Sequence, residues 1–274
     1  MTRVRDVIDV VRSAYPESVA ADWDTGIGLT CGDPDAMIGS VLLAVDAEHV
    51  TVDEAIATGA GLLLTHHPLL FRPVQSIAAD TAKGALLHAM LTSGVAHFAA
   101  HTNADVAVNG VNDALADALG LIDARPLVPL DGQPGVGSGR VGAIAAGLSL
   151  REFARLVADR LPATVAGVRA AGDPERVVRT VALCGGAGDS YLAGAAAAGA
   201  DVYLTSDLRH HVVAEFVAEA GNPAVVDVAH WAGEWPWLAR AAALLRTALP
   251  DLAVTVSTLR TDPWTVHVGT VADT

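Results

Sequence analysis

Gly61-Leu62-Leu63-Leu64-Thr65-His66-His67-Pro68 opens as an apolar run and closes on two imidazoles and a proline. The leucines predict a short strand, Gly61–Thr65, that ends where the histidines begin. Neighbouring side chains on an extended strand point to opposite faces, so His66 and His67 converge only if the chain turns there. Pro68 supports that turn. The carboxyl end of a parallel strand is where α/β sheets place ligand sites.

The same rhythm extends in both directions. Further strands are predicted at Val41–Val45, Val95–Ala100, Val181–Cys184, Asp201–Thr205 and Ala224–Val228. Helices are predicted at Arg3–Tyr15, Val52–Thr58, Ala79–Thr92, Val111–Leu119, Leu150–Leu161, Tyr191–Ala198, Leu208–Ala220 and Trp237–Leu249. This alternation predicts an α/β protein with mixed, largely parallel sheets. Pro126, Pro129, Pro134 and several glycines interrupt the pattern over Ala124–Gly139. We therefore expect two α/β domains: residues 1–125 together with 227–274 around the site, and residues 126–226. Ala253–Leu259 and Thr265–Val271, bracketing Asp262-Pro263, are expected to form a terminal β-hairpin.

The composition narrows the function classes. At 274 residues and 52% hydrophobic, the chain can bury a sizeable core. Its 17 basic and 31 acidic residues give a net charge of −14, which opposes nonspecific nucleic-acid binding and an anionic membrane surface. No charge-free apolar run reaches the roughly 18 residues needed to span a bilayer. Arg3, Arg5 and Asp6 break the first apolar stretch, so a signal peptide is not expected and a cytoplasmic location is. Cys31 and Cys184 lie far apart with no CxxC spacing and offer neither a disulfide framework nor a thiolate zinc knot. Any metal must be held by imidazole and carboxylate. No GxSxG elbow is present, and neither cysteine has a histidine near it in sequence, which speaks against a serine or cysteine hydrolase.

Two more clusters follow predicted strands. His101-Thr102-Asn103-Ala104-Asp105 comes after Val95–Ala100, and Asp227-Val228-Ala229-His230-Trp231-Ala232-Gly233-Glu234-Trp235-Pro236 comes after Ala224–Val228. Proline is tolerated in the first turn of a helix, so Glu234 is expected at a helix start and His230 in the loop before it, not on one helical face. Each cluster alone has an ordinary explanation in capping or turn formation. Together, three strand ends deliver histidine and carboxylate, a donor set suited to Zn, Fe, Mn or Co. Five ligands (His66, His67, Asp105, His230 and Glu234) exceed what one catalytic zinc usually takes. Two ions about 3.5–4 Å apart with a bridging carboxylate, Asp105 or Glu234, would accommodate them.

The sequence also resembles a known family. Thr65-His66-His67-Pro68 resembles the THHP signature of the Nif-three-like dinuclear-metal-centre family, whose members are called GTP cyclohydrolase I type 2 homologues. Asp22-Trp23-Asp24-Thr25-Gly26-Ile27-Gly28-Leu29 is similar to its WDN-x-GL segment, with Thr25 departing and the spacing before Gly28 altered. His101–Asp105 resembles HTN-x-D. Thr205-Ser206-Asp207-Leu208-Arg209-His210-His211 resembles TGD/E-x-x-H(H) with Ser206 for glycine, and Asp227…Glu234 resembles D-x-GH-x-x-x-E with Ala229 for glycine. The resemblance implies a two-domain Nif-three-like fold, a homo-hexameric ring and two divalent ions per chain on the five ligands above. It also implies a member without the extra domain found in longer relatives.

Two functions fit. The first is a metal-dependent hydrolase acting on a small molecule, a nucleotide or related heterocycle, with His101 and Glu234 as proton-moving groups. The second is a non-enzymatic metal handler or regulatory scaffold, which needs the same ligands. His210 and His211 follow a predicted strand in the second domain, where they either reach the same cavity or act as capping or surface histidines. Gly185-Gly186-Ala187-Gly188 lacks GxGxxG spacing and a P-loop lysine, and predicts a tight strand-to-helix turn. His49, His88, His97 and His267 fall in ordinary elements and carry no expected role.

Overall fold

Leu62–Thr65 is buried along its whole length in the computed structural model, which describes residues 2–269. It is the middle strand of a five-stranded sheet ordered Ala253–Val256, Ser40–Ala44, Leu62–Thr65, Ala96–Ala99 and Gly28–Cys31. The first four run parallel and Gly28–Cys31 is antiparallel to its neighbour. Both faces are covered, which is why the strand shows no polar alternation. Leu42 and Leu63 join Val52, Ala55, Leu86, Leu87 and Met90 from the helices His49–Ala57 and Ala82–Thr92. Val41, Leu43, Leu62 and Leu64 are as deeply buried.

Strand register determines what emerges from the sheet. Ala44 lies opposite Thr65, and Thr65 opposite Ala99. The three strands therefore end level with one another, and Asp46, His66, His67 and His101 each follow within two residues. Backbone bonds hold these exits together: His66 N–H donates to Ala44 O, His67 N–H to Val45 O, and Ala100 N–H to Thr65 O.

His97, inside the strand Ala96–Ala99, is fully buried. The Thr65 hydroxyl donates to His67 O at 2.6 Å, so its oxygen accepts from His97 Nε2–H at 2.9 Å. Burial pushes the pKa of the ring down from 6.5 to about 4, which favours its neutral form. The unfolded chain binds this proton near pH 6.5 while the folded chain resists it, so the folded state loses stability as pH falls from there toward 4. The full loss is about 3 kcal/mol. Urea denaturation across that range is expected to show this acid limb, and His97→Gln, which keeps a donor for Thr65 without titrating, is expected to flatten it.

The chain divides into two compact units: the residues up to Ala114 with Trp237–Thr261, and Leu115–Pro236 with the residues from Asp262 onward. The second unit holds a six-stranded sheet ordered Ile122–Pro129, Gly137–Ser149, Val177–Ala187, Val202–Ser206, Ala224–Val228 and Val168–Ala171. Its three central strands, Val177–Ala187, Val202–Ser206 and Ala224–Val228, are parallel and the flanking pairings antiparallel. Leu127, Val141, Ala182, Leu192, Tyr203 and Val225 share one core cluster. The helix Leu150–Arg160 starts with a reciprocal cap, Glu152 N–H to Ser149 Oγ and Ser149 N–H to Glu152 Oε2.

Two elements differ from expectation. The proline- and glycine-rich stretch after Leu121 forms an antiparallel strand pair, Ile122–Pro129 with Gly137–Ser149. Pro126 and Pro129 are accommodated because Ile122–Pro129 is an edge strand, where a missing N–H breaks no inner ladder. The expected terminal hairpin does not form. Ala253–Val256 instead pairs in parallel with Ser40–Leu43, and no strand occurs among the described residues 257–269; the end of the expected second arm lies outside the described residues. The helix Pro236–Ala248 leads into this strand.

Candidate metal centre

In the first unit the sheet ends at Thr65 and the chain turns at once. The Thr65 hydroxyl's bond to His67 O closes that turn, and both imidazoles swing to the same side with ring centroids 4.9 Å apart. His101 joins them, 5.2 Å from the His66 ring and 5.6 Å from that of His67. One nitrogen from each of the three lies within 4.8 Å of the others, close enough to hold an ion. Asp105, on the short helix Thr102–Val106, brings Oδ1 to 3.6 Å from His66 Nε2. The intervening Asn103 plays a different part: its amide donates to Tyr15 O and anchors the loop.

The orientation of each ring follows from its Nδ1. His66 Nδ1 lies 2.9 Å from the Ala100 carbonyl, an acceptor only, so it must carry the proton. His67 Nδ1 donates to Asp46 Oδ1 at 2.6 Å, and Asp46 is itself held by the Thr261 hydroxyl. His101 Nδ1 donates to Asp24 Oδ2 at 2.8 Å. Burial works against the Asp24 anion, but the bonds from His101 and from the Thr102 hydroxyl and N–H outweigh it and hold its pKa at about 2. A neutral ring protonated on Nδ1 keeps its lone pair on Nε2, the arrangement found in histidines that ligate metal.

The second unit carries His230 and Glu234. They occupy the first and last positions of a short helix, His230–Glu234, with His230 Nε2 to Glu234 Oε1 at 3.0 Å. This corrects the expectation that His230 sits in a loop away from a shared helical face. Pro236 begins a separate helix, Pro236–Ala248, and leaves the turn before it free to be helical; the Trp235 N–H still bonds to Trp231 O. His230 Nδ1 donates to Asp207 Oδ2 at 2.6 Å, the same device as in the first unit. Burial opposes the His230 cation, yet Glu234 and Asp207 raise its pKa to about 11.

Gly185-Gly186-Ala187-Gly188 forms the wall behind this pair. A Cβ on Gly186, where φ is +70°, would stand 2.5 Å from Glu234 Oε1 and 3.2 Å from His230 Nε2. The run therefore serves as more than a turn: its missing side chain is the space that Glu234 Oε1 and His230 Nε2 use. Of the two glycine replacements, Ala229 has φ −62° and ψ 135°, which any residue adopts, and Ser206 is buried. His210 and His211 stand exposed at the start of the helix His210–Ala218, with rings 5.1 Å apart.

The donor chemistry fits a divalent transition metal: imidazoles whose Nδ1 is held by a carbonyl or carboxylate, carboxylates beside them, and a glycine cradle. Three anchors, Asp24, Asp46 and Asp207, were not assigned this work from sequence, although Asp24 and Asp207 lie inside quoted motifs.

Fold and donor set together define an α/β protein whose strand ends carry histidines and carboxylates that could hold a metal ion. The Duf34/NIF3 (NGG1p interacting factor 3) profile matches residues 2–263, and the chain belongs to that family. A GTP cyclohydrolase 1 type 2 homolog from Streptomyces coelicolor is 49% identical, covering 98% of this chain and 96% of its own. The homolog from Mycobacterium tuberculosis is 36% identical with 99% of both covered; its alignment runs over 378 positions because that protein carries an insertion. Among solved structures, the Bacillus cereus protein related to NIF3 is similar with a TM-score of 0.89 at 26% identity, covering 97% of this chain and 99% of that one. Among the described residues no helix is long and apolar enough to cross a membrane.

Proposed function

We propose that this chain is a dinuclear metal protein, with His66, His67, Asp105, His230 and Glu234 as ligands, and that it hydrolyses a small molecule, a nucleotide or related heterocycle. One observation carries the reading: His66, His67, His101 and His230 all have Nδ1 committed to a carbonyl or carboxylate, which turns Nε2 toward the ligand position. When bound, two divalent cations (Zn, Fe, Mn or Co) supply Lewis acidity and lower the pKa of water. The protein's own part is to hold and move protons. His101 Nε2, polarised by the Asp24 anion behind Nδ1, accepts a proton from the attacking water and returns it to the leaving group. Asp46 keeps the His67 ring in place, and Glu234 offers a second carboxylate. The homo-hexamer belongs to the same reading, and sedimentation measures it.

Elemental analysis of purified protein tests the ligands. Wild type is expected to hold two ions per chain, and His66→Ala, Asp105→Ala and Glu234→Ala are each expected to lose stoichiometric metal. Retention by all three would sink the site. A nucleotide and phosphoester panel, run with wild type and His66→Ala, tests turnover. Full occupancy without turnover would favour a metal handler.

A further inference from the structure

Trp23 and Phe71 stand exposed, at 63% and 45%, beside the first unit's histidine group. Their centroids are 6.0 Å apart with planes inclined at 59°. Each meets the His101 ring edge-on, at 6.1 Å and 5.8 Å. The exposure does not come from a slack loop. Ala21 N–H donates to Thr102 Oγ1, Asp24 N–H donates to Ala21 O, and the Asp24 carboxylate takes three bonds from His101 and Thr102. The chain is therefore tied on both sides of Trp23. A Cβ on Gly26 would fall 2.8 Å from Pro68 Cβ and 3.2 Å from Leu70 O, so only glycine lets this loop press on the one that carries His66, His67 and Phe71. Leu69, two residues before Phe71, is buried and anchors the other arm. Both rings are thus held out to solvent by a rigid frame, against the ring of His101.

We infer that Trp23 and Phe71 form a stacking platform for a planar heteroaromatic ring of the ligand handled at the histidine group. The inference rests on the metal-centre reading for the role of its neighbour, and on its own geometry for the platform. Indole and phenyl faces reward a flat π-system beyond the area covered, whereas a sugar or aliphatic chain gains only the area. The edge contacts with His101 place such a ring beside the imidazole assigned to proton transfer.

The test titrates full-length, zinc-loaded protein with adenosine, guanosine, uridine and pterin, with ribose as the ring-free control, by calorimetry and tryptophan fluorescence. At least one aromatic probe is expected to bind and ribose is not. Trp23→Leu is expected to weaken the ring by about tenfold or more, Phe71→Leu by less, and Trp23→Phe to retain most of the affinity. Zinc content should stay unchanged in all three. Failure of every aromatic probe, or binding that survives both leucine variants, overturns the platform. So does a change of sedimentation in Trp23→Leu with ring binding intact, which would assign the surface to another copy of the chain. If wild type holds no zinc yet binds rings through Trp23, the metal reading fails and the platform stands.

Discussion

Gly186→Ala is expected to cost the protein both stability and metal. An alanine at φ +70° is strained by about 1 kcal/mol or more, and the new Cβ would lie 2.5 Å from Glu234 Oε1. Glu234 is buried and cannot move aside without giving up its place next to His230. Together these terms come to roughly 1–3 kcal/mol of destabilisation, with metal affinity lower by about 10–100-fold, the usual size for disturbing the support of a ligand. Gly188→Ala is the control. Its Cβ would strike Thr205 Oγ1 at 2.3 Å and Tyr203 Oη at 2.5 Å, where the Tyr203 hydroxyl donates to Gly188 O. It should destabilise the unit and spare the metal. Urea denaturation with elemental analysis on both variants separates the outcomes, and equal metal retention would remove Gly186 from the site.

That glycine also shows where the sequence stops being readable. The strand ends were legible because Leu62–Thr65, Ala96–Ala99 and Ala224–Val228 are apolar runs cut off by polar residues, and a buried parallel strand has no other way to end. The histidines stood out because they come straight after those runs. The groups that orient them did not, since their partners are distant in the chain: Asp46 lies 21 residues from His67, and Asp24 lies 77 from His101. An aspartate after a strand looks the same whether it caps a turn or grips an imidazole. Gly186 was read as a turn residue, because the atoms that forbid a side chain there belong to a helix more than forty residues further on. Ala253–Val256 misled for a related reason. Its alternation suits a hairpin, but pairing is decided by which sheet edge the preceding helix delivers it to, and that edge is Ser40–Ala44.

Asp24→Asn is expected to slow turnover by removing the negative charge behind His101 while keeping its hydrogen bond. The Asp24 carboxylate is anionic throughout the working range, with its pKa held near 2, and accepts from His101 Nδ1–H, Thr102 N–H and the Thr102 hydroxyl. All three bonds fall on one oxygen, Oδ2, so an asparagine whose carbonyl takes that place keeps them, and the Nδ1 proton stays where it is. What is lost is the negative charge behind the ring, which favours the imidazolium formed when His101 takes up a proton. General-base catalysis contributes about 10²–10⁴-fold, and removing this charge is expected to forfeit about tenfold or more of it. Nitrogen-15 NMR of the histidine rings reads the tautomer without any substrate: Nδ1 protonated in wild type and variant alike. Unchanged turnover with the charge removed would take Asp24 out of the proton transfer. A fall in metal content would carry a different message, because one ring nitrogen of His101 lies within ion-holding distance of His66 and His67. An ion held by His101 would bind more weakly without the anion behind the ring, and His101 would move from proton carrier to ligand.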